Sequence, residues 1–335
     1  MRILRSTSHN AHVNLATEEY IFNQMDTSRP VMFLWRNGPT VVIGKHQNPW
    51  KECRVEEMRR EGVTLARRRS GGGAVYQDLG NSIFTFLNSK SDHNLDRNFG
   101  ILQRAIDSLG VQSHFSGRND VLIDNRKISG SAFKNTFDRS FHHGTVLVDV
   151  NKDNVERYLT VNKLKLASKG VDSVRARITN LTDFTPNASH ESLCAALIHE
   201  FCFAYGADPT QTPIELLREE DMLQNEDIKR IHAELSSWEW TFGHTPEFTH
   251  NLETRFPWGI VDIYVATRNG KIIDSKVFSD SLFPAFVEAL QPSLIGVNYD
   301  SIGINTALDK AKIELTGTPY EAHIEDVRKW LSEHM

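Results

Sequence analysis

The sequence predicts an α+β protein with mixed, largely antiparallel sheets and flanking helices. Apolar runs rich in β-branched and aromatic residues recur at short intervals, and helical patterns stand between some of them. Several connections between these runs are too short for the helical crossover that a parallel pair needs, which indicates antiparallel pairing. After Tyr205 the chain becomes polar. With 335 residues it has room for a large domain over 1–235 and a small α+β domain over 236–335.

The first predicted element is a helix that begins near Asn14, whose side chain can cap it, with Glu18 and Glu19 in its first turns. The rest of the large domain alternates short β-type runs with helical stretches. One of these helices is predicted to end at Gly62, because glycine is frequent after helix ends. The predicted strands are Val31–Trp35, Thr40–Ile43, Val63–Ala66, Ala74–Tyr76, Ile83–Leu87, Val121–Ile123, Lys127–Ser129 and Thr145–Val148, and the helices are Lys51–Glu61, Phe99–Leu109 and Leu193–Tyr205.

The stretch Gly206–Glu234 is polar and carries two prolines, which is typical of a linker with some helix. In the small domain, aromatic and polar residues alternate from Trp238 to Phe242 and predict a strand. The pair Asn269-Gly270 favours the tight turn of a β-hairpin. The hairpin strands and the two final helices are predicted at Val261–Thr267, Lys271–Val277, Phe283–Leu290 and Pro319–Leu331.

The bulk properties are those of an ordinary globular protein, with 39% hydrophobic and 24% charged residues. The net charge of −5 gives no overall attraction to nucleic acid or to an anionic membrane, so a bound anion needs a local patch of positive charge. The three cysteines have no metal-binding or redox spacing. Because the first residues lack the apolar core of a signal peptide and no apolar run is long enough to span a bilayer, we expect a cytoplasmic protein with reduced thiols.

The most informative segment is Arg67–Asn81, with the sequence RRRSGGGAVYQDLGN. Its three arginines concentrate positive charge in an acidic protein, and arginine forms paired hydrogen bonds with phosphate or carboxylate oxygens. Its three glycines let the backbone bend sharply and approach a ligand, and successive exposed N–H groups can bind an anion. The segment is neither a P-loop nor a GxGxxG fingerprint. It predicts a cradle for a nucleotide phosphate, and a flexible glycine hairpin with solvated arginines is the alternative.

A second segment runs from Ser116 to Ala132 and joins two β-type runs through the turn-forming pair Asp124-Asn125. Lys127 opens the second run, and a lysine held on a strand can stabilise the charge that develops when a carboxylate and a phosphate react. Asp120 is a candidate ligand for a Mg²⁺ ion bound to ATP phosphates. A solvated lysine and an ordinary turn aspartate are the alternatives for these residues taken singly.

Two adjacent histidines, His142 and His143, lie in a later β-type run. Neighbouring side chains of a strand point to opposite faces, so the two do not easily bind one metal ion. We expect one histidine in a pocket and the other packed or in solvent. Asn180 forms a further polar cluster with Arg175 and Arg177, which is weak evidence of function because such clusters are common at helix ends and in loops.

These segments together resemble the lipoate–protein ligases. RRRSGGGAVYQDLGN resembles the signature of that family, and so do LWRNGPTVVIGKHQNPWKE (Leu34–Glu52), SGRND with RKISGSA, FHHGT, and KLASKGVDSVRARITNL (Lys165–Leu181). The segments keep the order that they have in the family. The region Ser237–Ser281 resembles the accessory C-terminal domain of the bacterial two-domain form. The resemblance implies the fold of the biotin/lipoate ligase catalytic domain, a mixed sheet flanked by helices.

The resemblance also implies a two-step reaction. ATP and lipoate first give lipoyl-AMP and pyrophosphate, assisted by Mg²⁺, and the ε-amine of a carrier lysine then takes the lipoyl group. The carriers implied are the lipoyl domains of 2-oxoacid dehydrogenase acyltransferase subunits and the glycine-cleavage H protein. We expect a monomer that binds neither nucleic acid nor a membrane.

Lys127 is the catalytic residue that the resemblance implies, in contact with both the lipoate carboxyl group and the adenylate phosphate. Asp120 is the metal ligand that we expect. Gly71, Gly72, Ser70 and Ser129 are expected to shape the pocket. Apolar candidates for the lipoate tail are Leu15, Trp35, Val42 and Ile43, although core packing is the more common role for each of them taken singly. The nucleotide-binding or substrate-binding residues implied are Arg68, Gly73, Ala74, Val75, Tyr76 and Lys127, with Asn81, Asp120 and His143 added from matching segments.

Other functions stay open at this point. An octanoyltransferase on the same fold generally uses a cysteine-linked intermediate, and no cysteine here lies in a matching motif. A lipoyltransferase would accept premade lipoyl-AMP without ATP, and a biotin ligase would bind biotin in competition with lipoate. A non-catalytic module that holds a nucleotide or acyl group would release no pyrophosphate.

Overall fold

A computed structural model describes residues 1–117, 119–160, 177–242 and 250–334. Its contacts divide the chain into two compact units. The first comprises Met1–Ile43, Trp50–Arg68 and Ala74–Thr241, and the second comprises Gly44–Pro49, Arg69–Gly73 and Phe242–Met335. The domain boundary expected at residue 235 stays a prediction. Within the described ranges, no helix is both long and apolar enough to cross a membrane.

A mixed eight-stranded sheet forms the centre of the first unit. Its two pairings at one edge, β11 with β1 and β1 with β2, are parallel, and its other pairings are antiparallel. The strand order is β11 (Ile214–Leu217), β1 (Arg2–Ser6), β2 (Val31–Trp35), β6 (Asn81–Ser89), β10 (Arg139–Leu147), β9 (Arg126–Asn135), β8 (Asp120–Ile123) and β7 (His114–Phe115).

A smaller three-stranded sheet also belongs to the first unit. Its central strand, β3 (Thr40–Ile43), pairs in parallel with β4 (Thr64–Arg67) and antiparallel with β5 (Val75–Gln77). Nine helices are described in this unit: α1 (Ala11–Gln24), α2 (Pro49–Glu52), α3 (Val55–Arg60), α4 (Leu95–Asp107), α5 (Lys152–Tyr158), α6 (His190–Ala204), α7 (Glu219–Gln224), α8 (Glu226–Leu235) and α9 (Trp238–Phe242).

The large sheet buries both of its faces, because successive side chains of each strand alternate between two apolar cores. On β6, Phe84 and Phe86 face the core that α4 and α6 complete. Ile83 and Leu87 face the opposite core, which contains residues of α1, α8 and the small sheet. The second core therefore joins the large sheet to the strand that leads into the RRRSGGG segment.

The second unit has its own apolar core, which contains Ile263, Phe286 and Leu308. An antiparallel sheet lies on one side of this core. The strands are β12 (His250–Phe256), β13 (Gly259–Arg268) and β14 (Lys271–Ser279), and the helices are α10 (Pro284–Ser293), α11 (Ser301–Glu314) and α12 (Glu321–His334).

The α+β fold class with mixed, largely antiparallel sheets is confirmed, and several elements lie where the sequence predicted them. Strands β2 and β3 match their predicted bounds. The hairpin of β13 and β14 turns at Asn269 and Gly270, which have φ angles of 51° and 73°. These positive values are those of a tight hairpin turn, which explains why Asn-Gly is favoured there.

Three predicted elements were wrong. Helix α1 begins after Asn10, which caps it, while Asn14 lies inside the helix and its amide bonds to Asn37. The predicted helix Lys51–Glu61 is two short helices, interrupted at Cys53. The alternating aromatic run that predicted a strand is helix α9, where the Trp240 indole N–H donates to the Arg67 carbonyl at 2.9 Å. This contact with a distant residue therefore outweighs the local alternation of aromatic and polar residues, which had favoured a strand.

The replacement Gly80→Ala tests the close approach of two turns. A Cβ on Gly80 would overlap the main-chain carbonyl of Asp149, whose N–H donates to the Gly80 carbonyl at 2.9 Å. We expect a loss of about 1–3 kcal/mol in the free energy of unfolding, because backbone atoms cannot move aside as a flexible side chain can. Urea unfolding measures this value. Gly100→Ala in helix α4 is the control, since its Cβ would meet only the Arg104 side chain; an equal loss there would contradict the explanation.

Candidate functional site

One face of the large sheet carries most of the polar residues that the sequence predicted. His143 on β10 lies between Thr85 on β6 and Ala132 on β9 in the strand register. Asn81 shares a face with Thr85, because side chains alternate along a strand and Thr85 is the fourth residue after Asn81. Helix α1 packs against this face and brings Glu18 to His143. We call this face the α1 face of the sheet.

Glu18 is the centre of a buried hydrogen-bond network on the α1 face. Its side chain is 5% exposed, and its carboxylate accepts from the Thr85 hydroxyl at 2.6 Å and from His143 Nδ1 at 2.9 Å. The Trp35 indole N–H donates to the Thr85 hydroxyl at 3.3 Å. The sequence had assigned Glu18 only a helix-stabilising role. Its burial and its charged partners could not be read from local pattern.

Arg68 follows strand β4 and is buried on the small sheet. Its main-chain N–H continues the pairing with β3 by donating to the Ile43 carbonyl, and its guanidinium donates to the Val42 carbonyl at 3.1 Å. Burial lowers the pKa of Arg68 to about 10, while the negative charge of Glu18 raises it. Arg68 is thus a cation at neutral pH. Glu18 links two predicted site residues, Arg68 and His143, electrostatically.

The neighbouring arginine, Arg67, has a different role. Its guanidinium donates to the Trp240 and Thr241 carbonyls at 3.0 and 3.1 Å, so it fixes helix α9 against β4. Burial lowers its pKa to about 10. Both Arg67 and Arg68 therefore donate to main-chain carbonyls, and those that Arg67 contacts belong to helix α9.

Lys127 reaches the α1 face because strand β9 contains a bulge. In the register with β8, Val121 is opposite Ser129 and Leu122 is opposite Lys127, so that Ile128 is an extra residue. The bulge places the Lys127 ammonium beside Gly130 and 2.7 Å from Asp120 Oδ1. A Cβ on Gly130 would overlap this ammonium group. Bulges commonly redirect side chains beside functional sites.

Among the residues that the structure describes, Arg177 joins Asp120 and Lys127 in a group of charged side chains at this place. Its guanidinium is 2.8 Å from Asp120 Oδ2, while Lys127 faces the other oxygen of the same carboxylate. Arg177 belongs to the polar cluster with Arg175 and Asn180, whose sequence alone is only weak evidence of function. Asn180 of that cluster holds the main chain of Val150, with its amide donating at 2.9 Å and accepting at 3.1 Å. Arg175 and Arg118 lie outside the described residues, as does most of the segment from Lys165 to Leu181.

The turn after β5 is organised by Asn81 and Tyr76. The Asn81 amide donates to the Tyr76 carbonyl at 3.3 Å. The Tyr76 ring stacks on Tyr158 with centroids 5.6 Å apart, and its hydroxyl accepts from Asn154 at 3.0 Å. Burial raises the pKa of Tyr76 to about 12. Since this side chain is packed, a nucleotide contact at Tyr76 would come from its main chain, as at Ala74 and Val75.

The glycine loop Arg69–Gly73 lies in the second compact unit, where protein contacts explain two of its glycines. The Gly72 N–H donates to the Ser281 carbonyl at 2.9 Å, and Gly72 has a φ of 89°, which favours glycine. A Cβ on Gly71 would overlap the same carbonyl. The sequence had attributed these glycines to ligand approach, whereas Gly71 and Gly72 are also required by close backbone packing. The nucleotide contact expected at Gly73 stays a prediction.

The two adjacent histidines separate as predicted, with His143 on the α1 face and His142 on the other. His142 is fully buried, with Phe99 and Phe133 at ring-centroid distances of 4.7 and 4.8 Å, and its Nε2 is 2.8 Å from the Ser131 hydroxyl. Burial lowers its pKa well below the ordinary value of 6.5, and the nearby His143 acts in the same direction. Across the described parts of the chain, no group of three or more His, Cys, Asp or Glu residues is placed to hold a metal ion.

Comparison with known families finds two matches. Residues 10–202 match the family described as lipoyl protein ligase A/B catalytic domain, and residues 245–331 match the bacterial lipoate protein ligase C-terminus. A curated relative, lipoate-protein ligase A of Psychrobacter cryohalolentis, is 44% identical over 337 residues, which is 100% of this chain and 99% of the relative.

Solved structures of similar proteins give the same result. Plasmodium falciparum LipL1 in complex with lipoate is 31% identical with a TM-score of 0.86, and the match covers 98% of each chain. A lipoate-protein ligase A bound with ATP is 25% identical with a TM-score of 0.61, covering 72% of this chain and 99% of the other. A bipartite lipoate protein ligase studied with its E2 lipoyl domain, from Thermoplasma acidophilum, is 26% identical with a TM-score of 0.63, covering 74% and 99%.

The buried His142 predicts a pH dependence of stability. Because its folded-state pKa is lowered, the unfolded chain takes up a proton as the pH falls below about 6.5 while the folded chain does not, and stability is lost over that range. One such group contributes a slope of at most about 1.4 kcal/mol per pH unit. We expect His142→Gln to flatten the pH dependence of urea unfolding below about pH 6.5. The matched control is the exposed His199→Gln; equal flattening in both variants would contradict this explanation.

Proposed function

This chain belongs to the lipoate–protein ligase family and is an ATP-dependent ligase, and we propose that it joins lipoate to AMP on the α1 face of the large sheet. The observation that carries the proposal is that Lys127 and His143 lie there, each beside a buried carboxylate, and that one of these carboxylates, Glu18, also acts electrostatically on Arg68. LipL1 of Plasmodium falciparum, which is similar over nearly the whole chain, was solved with lipoate, and a similar ligase was solved with ATP.

In the proposed first step, a lipoate carboxylate oxygen attacks the α-phosphorus of ATP. A new P–O bond forms while the bond from the α-phosphorus to the bridging oxygen breaks, and pyrophosphate leaves with that electron pair. Both reactants are anions, and two unit charges 4 Å apart repel by about 4 kcal/mol at an effective dielectric constant of 20. We assign Lys127 to the reacting oxygens, where its ammonium offsets this repulsion. The buried guanidinium of Arg68 supplies a second positive charge.

Nucleotide contacts are proposed for Arg68, Gly73, Ala74, Val75 and Tyr76. The Tyr76 contact is assigned to the main chain, because its side chain is packed against Tyr158. Asn81 supports this wall by holding the Tyr76 carbonyl. Its own Oδ1 is buried and accepts no hydrogen bond from the described residues, so it is assigned to a donor group of the ligand.

The aliphatic tail and dithiolane of lipoate need an apolar slot, which we place beside the Glu18 network. Trp35 and Val42 belong to the core on that side of the sheet, together with Leu15. Ile43 is also fully buried on the small sheet. His143 is proposed to border the slot, since its Nδ1 is held by Glu18 and the ring orientation is thereby fixed.

Mg²⁺ as the ion that accompanies ATP stays a prediction. Each Asp120 oxygen faces a cation, Lys127 on one side and Arg177 on the other. This arrangement does not favour a divalent ion on Asp120, which the sequence pattern had suggested as a metal ligand. When bound to ATP, Mg²⁺ neutralises phosphate charge.

In the proposed second step, the ε-amine of a carrier lysine attacks the carbonyl carbon of lipoyl-AMP. An amide bond forms, the mixed anhydride bond breaks, and AMP leaves. We propose lipoyl domains of 2-oxoacid dehydrogenase acyltransferase subunits and the glycine-cleavage H protein as carriers. The Thermoplasma ligase, which was studied with an E2 lipoyl domain, supports this class of partner.

The deciding experiment is mass spectrometry of an apo-lipoyl domain incubated with this protein, MgATP and lipoate. We expect a gain of one lipoyl group that requires ATP and is accompanied by pyrophosphate release. Modification with premade lipoyl-AMP but not with ATP would show a transferase. Tight ligand binding without pyrophosphate release would show a non-catalytic module, and biotin competition would distinguish a biotin ligase.

Replacing Lys127 tests the catalytic assignment. We expect Lys127→Ala to lower the rate of pyrophosphate release by about 10²–10³-fold, which is typical for the loss of one group that stabilises developing charge. Lys152→Ala is a matched control, because Lys152 is also a partly buried lysine with a carboxylate partner, Asp183. Full adenylation activity in Lys127→Ala would overturn the assignment.

Gly130→Ala tests the position of the Lys127 ammonium without removing it. The added methyl group would occupy the space of that ammonium and force it to move. We expect a roughly 10- to 100-fold loss of adenylation rate, because displacement by about an ångström is costly for a reacting group. Circular dichroism and thermal unfolding check that the fold is kept. An unchanged rate with Lys127 displaced in a crystal structure would contradict the proposal.

A further inference from the structure

We propose that Arg177 is a positioning residue, which holds the charge of Asp120 so that Lys127 can turn its ammonium toward the reacting oxygens. The inference deepens the proposed function and rests on the assignment of Lys127 to the adenylation step. The geometric observation behind it is that the Asp120 carboxylate, whose side chain is 8% exposed, faces a lysine on one oxygen and an arginine on the other.

Asp120 alone would be a poor partner for a catalytic lysine. If Lys127 were its only cation, the Asp120 carboxylate would largely cancel the positive charge of the Lys127 ammonium. That ammonium would then attract the anionic substrate only weakly. A buried carboxylate whose only cation moves away also loses its compensation, which makes the movement unfavourable. Lys127 paired with Asp120 and no second cation would thus be held back from the substrate.

Arg177 reduces both of these disadvantages. Two cations share one carboxylate, so these three side chains, taken by themselves, carry one net positive charge. The attraction between Asp120 and Lys127 is also weakened, because Arg177 repels Lys127 and occupies the other oxygen. When the Lys127 ammonium moves toward the substrate, Asp120 keeps a hydrogen-bonded guanidinium. Arginine suits this position because its guanidinium stays charged when partly buried.

The main chain holds Arg177 in place from two sides. Ile178 forms a parallel β-bridge with Lys127, and the Thr179 N–H donates to the Lys127 carbonyl at 3.0 Å. The side chain of the next residue, Asn180, donates to the Val150 carbonyl and accepts from the Val150 N–H. Asp183 ties the segment together by accepting from the Thr179 hydroxyl at 2.7 Å. Arg177 is therefore fixed relative to the strand that carries Lys127.

Exposure separates the three side chains in the way that this role requires. Asp120 is nearly fully buried, while the Lys127 and Arg177 side chains are 21% and 22% exposed. The carboxylate is the fixed centre, and each cation reaches it from a more accessible position. Both cations are thus more accessible to an incoming anion than the carboxylate that they share.

A double-mutant cycle tests the inference, with lipoyl-AMP formation from lipoate and MgATP as the measured reaction. We expect Arg177→Gln to lower kcat by about tenfold with little change in KM for ATP, because Lys127 is then held by Asp120 and not by the nucleotide. Arg177→Lys keeps the charge and is expected to stay within about threefold of the unmodified protein. The Arg177→Gln change should have almost no further effect in an Asp120→Asn background, where no carboxylate charge needs compensation.

A crystal structure of the unmodified protein with a ligand tests the inference without relying on a variant that folds correctly. A crystal structure with a non-hydrolysable sulfamoyl analogue of lipoyl-AMP should show Lys127 on the ligand oxygens and Arg177 still on Asp120. Direct contact between Arg177 and the analogue would overturn the inference, and so would Lys127 remaining on Asp120.

The kinetic measurements can also contradict the inference. Losses from Arg177→Gln and Asp120→Asn that simply multiply in the double variant would show that the two residues act independently, which contradicts the inference. Arg177→Lys as slow as Arg177→Gln would also contradict it, because charge would then not be the cause. If the unmodified protein forms no lipoyl-AMP, the proposed function itself fails. An active protein with an additive cycle rejects the role of Arg177 alone.

Discussion

The alternation of side chains along strand β9, and its interruption by one residue, decides where the Lys127 ammonium lies. Without an extra residue, Lys127 would share a face with Ser129 and Ser131, and Ser131 bonds to His142 on the opposite side of the sheet from His143. The bulge at Ile128 brings Lys127 to the face of Gly130. At such a bulge the extra residue is left unpaired and the regular hydrogen bonding between the strands is interrupted. A regular strand would avoid this loss of stability. Gly130 then provides the space that the ammonium fills.

Charge is buried on this face in compensated groups. Glu18 has His143 and, more distantly, Arg68; Asp120 has Lys127 and Arg177. In both groups a carboxylate is the most buried member, so removing a cation would leave a negative charge without compensation. Such groups are already oriented before a ligand binds, which spares the reorganisation that water would undergo around the same charges. The same principle links the fold to the proposed chemistry: the sheet supplies fixed dipoles and charges for a reaction between two anions.

Local pattern predicted the elements whose cause is local. The bounds of β2 and β3 and the turn at Asn269-Gly270 follow from β-branched runs and from the positive φ angles that Asn and Gly tolerate. The bulge at Ile128 and the place of Arg177 beside Asp120, 57 residues away in sequence, depend on pairings between distant segments. The helix at Trp238 follows from an indole that bonds to Arg67, so its alternating pattern was misleading. Motif similarity located Lys127 and Arg68, and only the three-dimensional structure shows that Lys127 lies on the α1 face and that Arg68 feels the charge of Glu18.

The cysteines bear on which chemistry can activate the acyl group. A thiol attacks as its thiolate, so a covalent acyl-enzyme needs a cysteine with a lowered pKa and access to the substrate. Burial instead raises the pKa of Cys53 to about 12 and of Cys194 to about 11, and all three thiols are buried. Each would be almost wholly protonated at neutral pH, with the reactive atom inside the protein. An acyl-phosphate anhydride made with ATP needs no such nucleophile, because the phosphate itself becomes the leaving group. The cationic face around Lys127 is suited to that route, since it stabilises oxygens that carry negative charge throughout the reaction.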